Sequence, residues 1–260
     1  MWTLNDTVAL VTGGSKGIGR ATVEALLERG ATVVFTARGR EAVEAVASEM
    51  AERFGVSPAD GRPRVTGLVA DVTSAGDRER VRVHIAEHHG RLDVLVNNAG
   101  TNVRRKAHEY DADTYRHILA VNLDAPFQLS VALLDMLKAA DGASVINVAS
   151  SAATVDVGSG APYGMTKGGM LQMTRSLAVE WAPHGIRVNA VSPWYTETPL
   201  TDPVLGDPAR KAGILRRTPL GRVAQAAEMG SVIAFLAMPA ASYVTGQNID
   251  VDGGMLAQGL

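Results

Sequence analysis

Three glycines and a tyrosine–lysine pair mark where this chain could do chemistry. Gly13, Gly17 and Gly19 lie in Thr12-Gly13-Gly14-Ser15-Lys16-Gly17-Ile18-Gly19, after an apolar run and before a stretch with helical spacing. Glycines in such a strand–helix turn let the backbone bend tightly and bring its N–H groups against a pyrophosphate. The free N–H groups and dipole of the following helix favour the same anion. The pattern is G-x-x-x-G-x-G rather than the commoner G-x-G-x-x-G, and on its own it is a short motif that also occurs in plain turns. The next apolar run ends Phe35-Thr36-Ala37-Arg38, with no acid to hold an adenosine ribose 2′-hydroxyl. Arg38 there and Lys16 in the glycine loop could instead converge on a 2′-phosphate, which points to NADP(H) over NAD(H).

Tyr163 and Lys167 are four residues apart, one turn along the same helix face. An ammonium beside a phenol favours the phenolate, so Lys167 is expected to draw the Tyr163 pKa down from about 10 towards neutrality. Such a tyrosine can be the general acid for a carbonyl oxygen that receives hydride. Ser150, thirteen residues before Tyr163, ends another apolar run and could hold that carbonyl, with Ser151 as its neighbouring alternative. Asn97-Asn98-Ala99-Gly100 ends a further run, and Asn122 follows in a helical stretch.

The elements that would position these residues are legible from apolar spacing. Short runs rich in Val, Ile and Leu occur at Val8–Thr12, Thr32–Thr36, Val65–Ala70, Leu92–Val96, Ser144–Val148, Arg187–Val191 and Gln247–Val251. Helical spacing separates them, as at Ile18–Leu27, Arg40–Phe54 and Arg78–His88. Strands alternating with helices predict a parallel sheet covered on both faces, either open and doubly wound or closed as a barrel. No linker divides the chain, so residues 1–260 are read as one domain. Gly55–Pro63 is the clearest loop, and the polar, Pro-rich stretch Thr196–Pro219 is a candidate flap over a site.

Composition narrows the function classes. Hydrophobic residues make up 46% and charged residues 20%, which describes a folded globular chain. The net charge of −2 is no footprint for nucleic acid or an anionic membrane. The absence of cysteine excludes disulfides, thiolate nucleophiles and Cys-ligated metal. With no secretory or membrane-spanning pattern, a cytoplasmic location is expected.

Across nearly its whole length the chain resembles the short-chain dehydrogenase/reductase family. The resemblance rests on TGGSKGIG (12–19), ADV (70–72), NNAG (97–100), Asn122, Ser150, YGMTK (163–167), RVNAVSP (187–193) and VTGQNIDVDGG (244–254). Within the family it looks most like the tropinone-reductase-like branch, from WTLNDTVALVTGGSKGIG, LAVEWAPHGIRVNAVSP and MPAASYVTGQ. The resemblance implies an open doubly wound (Rossmann) α/β sheet and an NADPH-dependent carbonyl reductase or alcohol dehydrogenase acting on a small, partly apolar ketone or alcohol. It implies Tyr163 as proton donor, Lys167 to lower its pKa and bind the nicotinamide ribose, Ser150 to orient the carbonyl, and Asn122 to anchor a water relay. The cofactor would lie along Gly13, Ser15, Lys16, Gly17, Ile18, Gly19, Arg38, Asp71, Val72, Asn98, Ala99, Gly100, Pro193, Thr196 and Thr198, besides Tyr163 and Lys167. It also implies a homo-oligomer, a tetramer or dimer, built on the amphipathic stretches Asp111–Lys138 and Tyr163–Ala182. Where the family commonly has Pro-Gly, this chain has Pro193-Trp194, which bears on pocket volume together with Val155, Val157, Tyr195 and Leu205.

Two other readings of the same residues differ in class: reduction of a 3-oxoacyl group on a carrier protein, and cofactor sensing without turnover. Arg104-Arg105-Lys106 could attract an acidic partner or substrate, although a solvated face is the commoner outcome for such a cluster. His84-Ile85-Ala86-Glu87-His88 spells an inverted zinc-peptidase pattern but falls between the third and fourth strands, away from the cleft, so no metal site is expected. Met165, Met170 and Met173 are read as core filler.

Overall fold

Seven parallel strands form one sheet in the order β3-β2-β1-β4-β5-β6-β7 in a computed structural model that describes residues 1–57 and 61–258. The strands are β1 (Val8–Thr12), β2 (Thr32–Ala37), β3 (Val65–Val69), β4 (Val94–Asn97), β5 (Ser144–Val148), β6 (Arg187–Pro193) and β7 (Asn248–Val251), close to the apolar runs read from the sequence. The helices are α1 (Gly17–Glu28), α2 (Arg40–Phe54), α3 (Ala75–His88), α4 (Ala112–Leu119), α5 (Ala125–Ala132), α6 (Leu134–Lys138), α7 (Ala161–Trp181), α8 (Asp202–Leu205), α9 (Pro208–Arg216) and α10 (Ala226–Ala237). An open sheet leaves two edges, β3 and β7, which excludes the barrel.

Alternation along each strand divides the core. In β1, Ala9 and Val11 pack with Leu26 of α1, Val43 of α2 and Ile233 of α10. Val8 and Leu10 face the other way, towards Ile85 of α3, Leu129 of α5 and Trp181 of α7. Every residue of β1 is therefore buried, the pattern of a strand covered on both faces. Val11 pairs with Phe35 of β2 on one side and with Val96 of β4 on the other. The chain reverses its winding direction between β1 and β4, and there the loops after the two strands diverge and open a crevice at their carboxyl ends.

Part of the Gly55–Pro63 loop, residues 58–60, lies outside the described residues. Thr196–Pro219 is more ordered than a plain loop, because it contains α8 and α9. Met170 is buried as expected of core filler, but Met165 on the outer side of the same helix is exposed. His84 and His88 stack ring on ring 4.1 Å apart on α3, and neither lines the crevice. Among the described residues, no helix is long and apolar enough to cross a membrane.

Candidate active site

A cavity of about 470 Å³ runs along the carboxyl ends of the central strands. Its walls include Gly13, Ser15, Lys16, Gly17, Ile18, Gly19, Arg38, Asp71, Val72, Asn98, Ala99, Gly100, Ser150, Tyr163, Lys167, Pro193, Thr196 and Thr198. These residues come from seven segments, the stretches at the carboxyl ends of β1 to β6 and helix α7, and only the sheet brings them together.

The glycine loop is shaped for close backbone approach. Gly13 has φ of +70°, and a Cβ on Gly19 would come within 2.2 Å of the Gly13 carbonyl oxygen. Asn98 fastens this loop to β4, its Nδ2 donating to the carbonyls of Thr12 (2.8 Å) and Gly13 (3.2 Å). The Thr12 hydroxyl oxygen accepts from the main-chain N–H groups of Asn98 and Ala99, both at 3.0 Å. The Nδ2 and the main-chain N–H of Asn98 are thus both committed to the protein. No side chain caps the start of α1, which leaves the first N–H groups of the helix facing the cavity.

Arg38 and Asp71 form the far end of the cavity. Arg38 is exposed and, among the described residues, has no carboxylate bonded to it. Burial pushes the Asp71 carboxyl up, but two hydrogen bonds from Thr73 and the charge of Arg38 outweigh that and hold its pKa below the usual value. Arg40 is no substitute for Arg38, because it pairs with Glu44 at 3.4 Å and stays outside the cavity.

The reacting end is built on β5 and α7. Ser150 lines the cavity beside Tyr163, its hydroxyl accepting from the Ala152 N–H at 3.1 Å, whereas Ser151 is fully buried with its hydroxyl donating to the Pro193 carbonyl at 3.2 Å. That removes the alternative serine. Lys167 is buried and its Nζ donates to the Val148 carbonyl at 2.7 Å. Its ammonium stands 5.8 Å from the centre of the Tyr163 ring, and burial lowers its pKa to about 8.

The lowering of the Tyr163 pKa expected from helix spacing does not hold. Burial raises it and dominates, while the nearby Ser150 hydroxyl and the Arg104 charge pull it down and Tyr195 adds to the rise. Lys167, turned towards Val148, is not among the influences. The phenol is accordingly held in its protonated form, as a proton donor requires.

The Lys167 shift carries a pH prediction. Its folded value of about 8 lies below the 10.5 of an exposed lysine. Between those pH values the unfolded chain keeps a proton that the folded chain has released, so this group makes stability rise with pH there, by at most about 1.4 kcal/mol per pH unit. Denaturant melts of wild type and Lys167→Met should diverge in this sense between pH 8 and 10. Parallel curves would show that Lys167 is not titrating there.

Asn122 sits in a five-residue π-helical segment, Ala120–Asp124, between α4 and α5. Its side chain is fully engaged: Oδ1 accepts from Thr101 N–H (2.8 Å), and Nδ2 donates to the Thr101 carbonyl (2.9 Å) and the Thr166 hydroxyl (3.3 Å). Four residues on, Pro126 has no N–H to offer the Asn122 carbonyl, so an ordinary α-helical bond cannot form there. The π segment relieves this mismatch. Pro126 is the sequence signal that spacing analysis passed over.

Some pocket expectations need correction. Val157, Trp194 and Tyr195 line the cavity, but Leu205 does not, and Val155 opens onto a separate outer groove. Trp194 is fixed by its Nε1–H donating to the Thr218 hydroxyl (3.0 Å) and by an edge contact with Tyr195. Thr198 packs on the glycine loop, where a Cβ on Gly17 would lie 3.2 Å from its methyl group, so the start of the Thr196–Pro219 stretch covers the cavity. Arg104, read from sequence as a solvated cation, lines the cavity together with Asn102 and His117. The signal available was position: Arg104 lies four residues beyond Gly100, on the loop leaving the carboxyl end of β4.

Comparison with known proteins agrees with this architecture. Residues 13–256 match the family described as enoyl-(acyl carrier protein) reductase. A tropinone reductase homolog of Arabidopsis thaliana is 44% identical over 97% of this chain and 91% of its own. A putative short-chain alcohol dehydrogenase from Sinorhizobium meliloti has a TM-score of 0.91 at 36% identity, covering 99% of each chain. A gluconate 5-dehydrogenase from Burkholderia cenocepacia, solved in complex with NADP and tartrate, has a TM-score of 0.91 at 30% identity, covering 99% of this chain and 98% of that one. A phosphate-ready glycine loop and a tyrosine–lysine helix on one doubly wound sheet, shared with relatives over almost the full chain, place this protein in the short-chain dehydrogenase/reductase family of NAD(P)-dependent oxidoreductases.

Proposed function

We propose that the protein is an NADPH-dependent carbonyl reductase, working in reverse as an alcohol dehydrogenase, on a small, partly apolar ketone or secondary alcohol. The observation that carries this is Ser150 and Tyr163 lining one end of the cavity, with a buried Lys167 one turn along α7. The residues at the other end fit a dinucleotide: a bare glycine loop, an uncapped helix start and a free arginine. Gly13 to Gly19 would hold the pyrophosphate, Asp71 and Val72 the adenine, and Pro193, Thr196 and Thr198 the nicotinamide carboxamide side. Arg38 and Lys16 favour a 2′-phosphate, and the NADP bound by the Burkholderia relative supports the same preference.

The bound nicotinamide supplies hydride to the carbonyl carbon, or accepts it from the alcohol. Ser150 donates a hydrogen bond that orients the carbonyl oxygen. The Tyr163 hydroxyl gives that oxygen its proton as negative charge develops. Lys167 holds positive charge beneath the phenol and binds the nicotinamide ribose. Asn122 uses its side chain to pin the Thr101 loop to α7, leaving its main-chain carbonyl to hold a water on the path that returns a proton through Lys167. Trp194 and Tyr195 provide apolar wall. A panel of ketones and alcohols assayed with both cofactors tests this reading, and no turnover of any member with either cofactor would instead support a cofactor-binding sensor. The carrier-protein alternative has less to stand on, since Arg104 turns into the cavity and Arg105 is tied to Asp111 at 3.0 Å.

Exposed Phe127 and Val131 on α5, with Met165 and Val179 on α7, support assembly of the chain into a homo-oligomer. Light scattering at micromolar concentration should give the mass of two or four chains. A monomer mass would overturn it.

A further inference from the structure

Two polar atoms on the loop after β4 are buried at the cavity wall and meet no protein partner: Nε of Arg104 and Oδ1 of Asn102. One is a charged donor and the other an acceptor, and each is costly to leave unsatisfied away from water. Among the described residues, Arg104 forms no ion pair, while its neighbour Arg105 is neutralised by Asp111. The charges along the cavity are also segregated. Arg38 acts on Asp71 at one end, and Arg104 acts on Tyr163 at the other. Asp71 is the only carboxylate among the lining residues, so the reacting end carries Arg104, besides the Lys167 ammonium on the Val148 carbonyl, and no acid. A 2′-phosphate at Arg38 accounts for the first cation and leaves the second without a counterion.

We propose that Arg104 binds a carboxylate of the substrate, so that the enzyme acts on oxo acids and the matching hydroxy acids in preference to neutral ketones. The planar guanidinium suits a carboxylate through paired N–H donors. Asn102 Oδ1 accepts from a substrate hydroxyl, and Val157 and Trp194 cover the carbon chain between the two ends. The carboxylate is a handle and is unchanged: hydride given up by NADPH, which would leave as NADP+, adds to the carbonyl carbon, the Tyr163 phenol releases its O–H proton to the oxygen, and within the substrate the C–O π bond is the only bond lost. This assignment refines the substrate class of the carbonyl reductase reading and rests on it for the reaction.

The test is a ladder of oxo acids, pyruvate, levulinate and 5-oxohexanoate, each assayed with NADPH against its methyl ester. At least one acid should exceed its ester about tenfold in kcat/KM, the lower range for one charge-assisted pair in a partly solvated site. Arg104→Gln should abolish that ratio and Arg104→Lys should restore part of it. Because acid and ester share one proton donor, the ratio is blind to any change the substitution makes at Tyr163. Calorimetry gives a readout without turnover: the enzyme–NADPH complex, titrated with lactate, 4-hydroxypentanoate and 5-hydroxyhexanoate, should lose about tenfold in affinity for the best binder in Arg104→Gln. Esters matching the acids along the ladder, or an acid preference that survives Arg104→Gln, would overturn the assignment. If no carbonyl is reduced at all, the carbonyl reductase reading fails, and calorimetry still decides on the anion site: affinity lost in Arg104→Gln upholds it, and equal or absent binding overturns it.

Discussion

Tyr163→Phe lowers kcat for carbonyl reduction by about 10²–10⁴-fold, the range for removing a positioned general acid, while NADPH still binds. The ring keeps its packing, and the change deletes one hydroxyl at the cavity end that Ser150 also lines. Because burial holds the phenol protonated, the wild type has its donor in the active form throughout the neutral range, and the variant has nothing to put in its place. Lys167→Ala behaves differently. It removes the buried ammonium on the Val148 carbonyl, and both turnover and cofactor affinity fall. Steady-state kcat and a fluorescence titration with NADPH separate the two variants. A Phe variant with near-normal kcat at neutral pH would move the proton-donor role to another group.

The second large effect is on cofactor choice. Arg38→Ala should weaken NADPH by about ten- to a hundredfold, since each charge-assisted hydrogen bond to the 2′-phosphate is worth roughly 1.5–3 kcal/mol. NADH, which lacks that phosphate, should change little. The structure sharpens this expectation, because Arg38 lines the cavity with no bonded carboxylate among the described residues, and Arg40 is held by Glu44. Ala37→Asp places a carboxylate beside the same spot. It should accept from the ribose hydroxyls of NADH, repel the 2′-phosphate and narrow or invert the preference, since discrimination needs a repulsive element as well as an attractive one. The measurement is kcat/KM for both cofactors in the wild type and the two variants. A wild type favouring NADH, or an Arg38→Ala variant that loses both cofactors equally, would assign the 2′-phosphate contact elsewhere.

The strands and the glycine-loop end of the cavity were legible in the sequence because their signals are local. β5 is five consecutive buried residues, and a run of that kind reads as a covered strand without any knowledge of its partners. The glycine loop is equally local: Gly13 needs its positive φ because of the turn it makes, and the motif states that need directly. Arg38 follows from its place at the end of β2 and from the missing acid beside it.

What the tertiary structure alone decided depends on groups far apart in the chain. Spacing put Lys167 one turn from Tyr163, and from that the phenol pKa was expected to fall. The fold buries Lys167, half-buries Tyr163 and turns the ammonium to the Val148 carbonyl, so desolvation, a property of the whole surroundings, outweighs the helical pairing. Arg104 and Arg105 are adjacent and chemically alike, yet one faces the cavity and the other pairs with Asp111. No periodicity could separate them, because the direction of a loop side chain is set by what packs around it. Apolar spacing predicted a parallel sheet without choosing between its doubly wound and barrel forms, and the family motifs pointed to the doubly wound form that the strand order shows. Only the packing of seven separate segments around one crevice decided which charges face the cavity, because the energy of a buried charge depends on its neighbours in space and not on its neighbours in the chain.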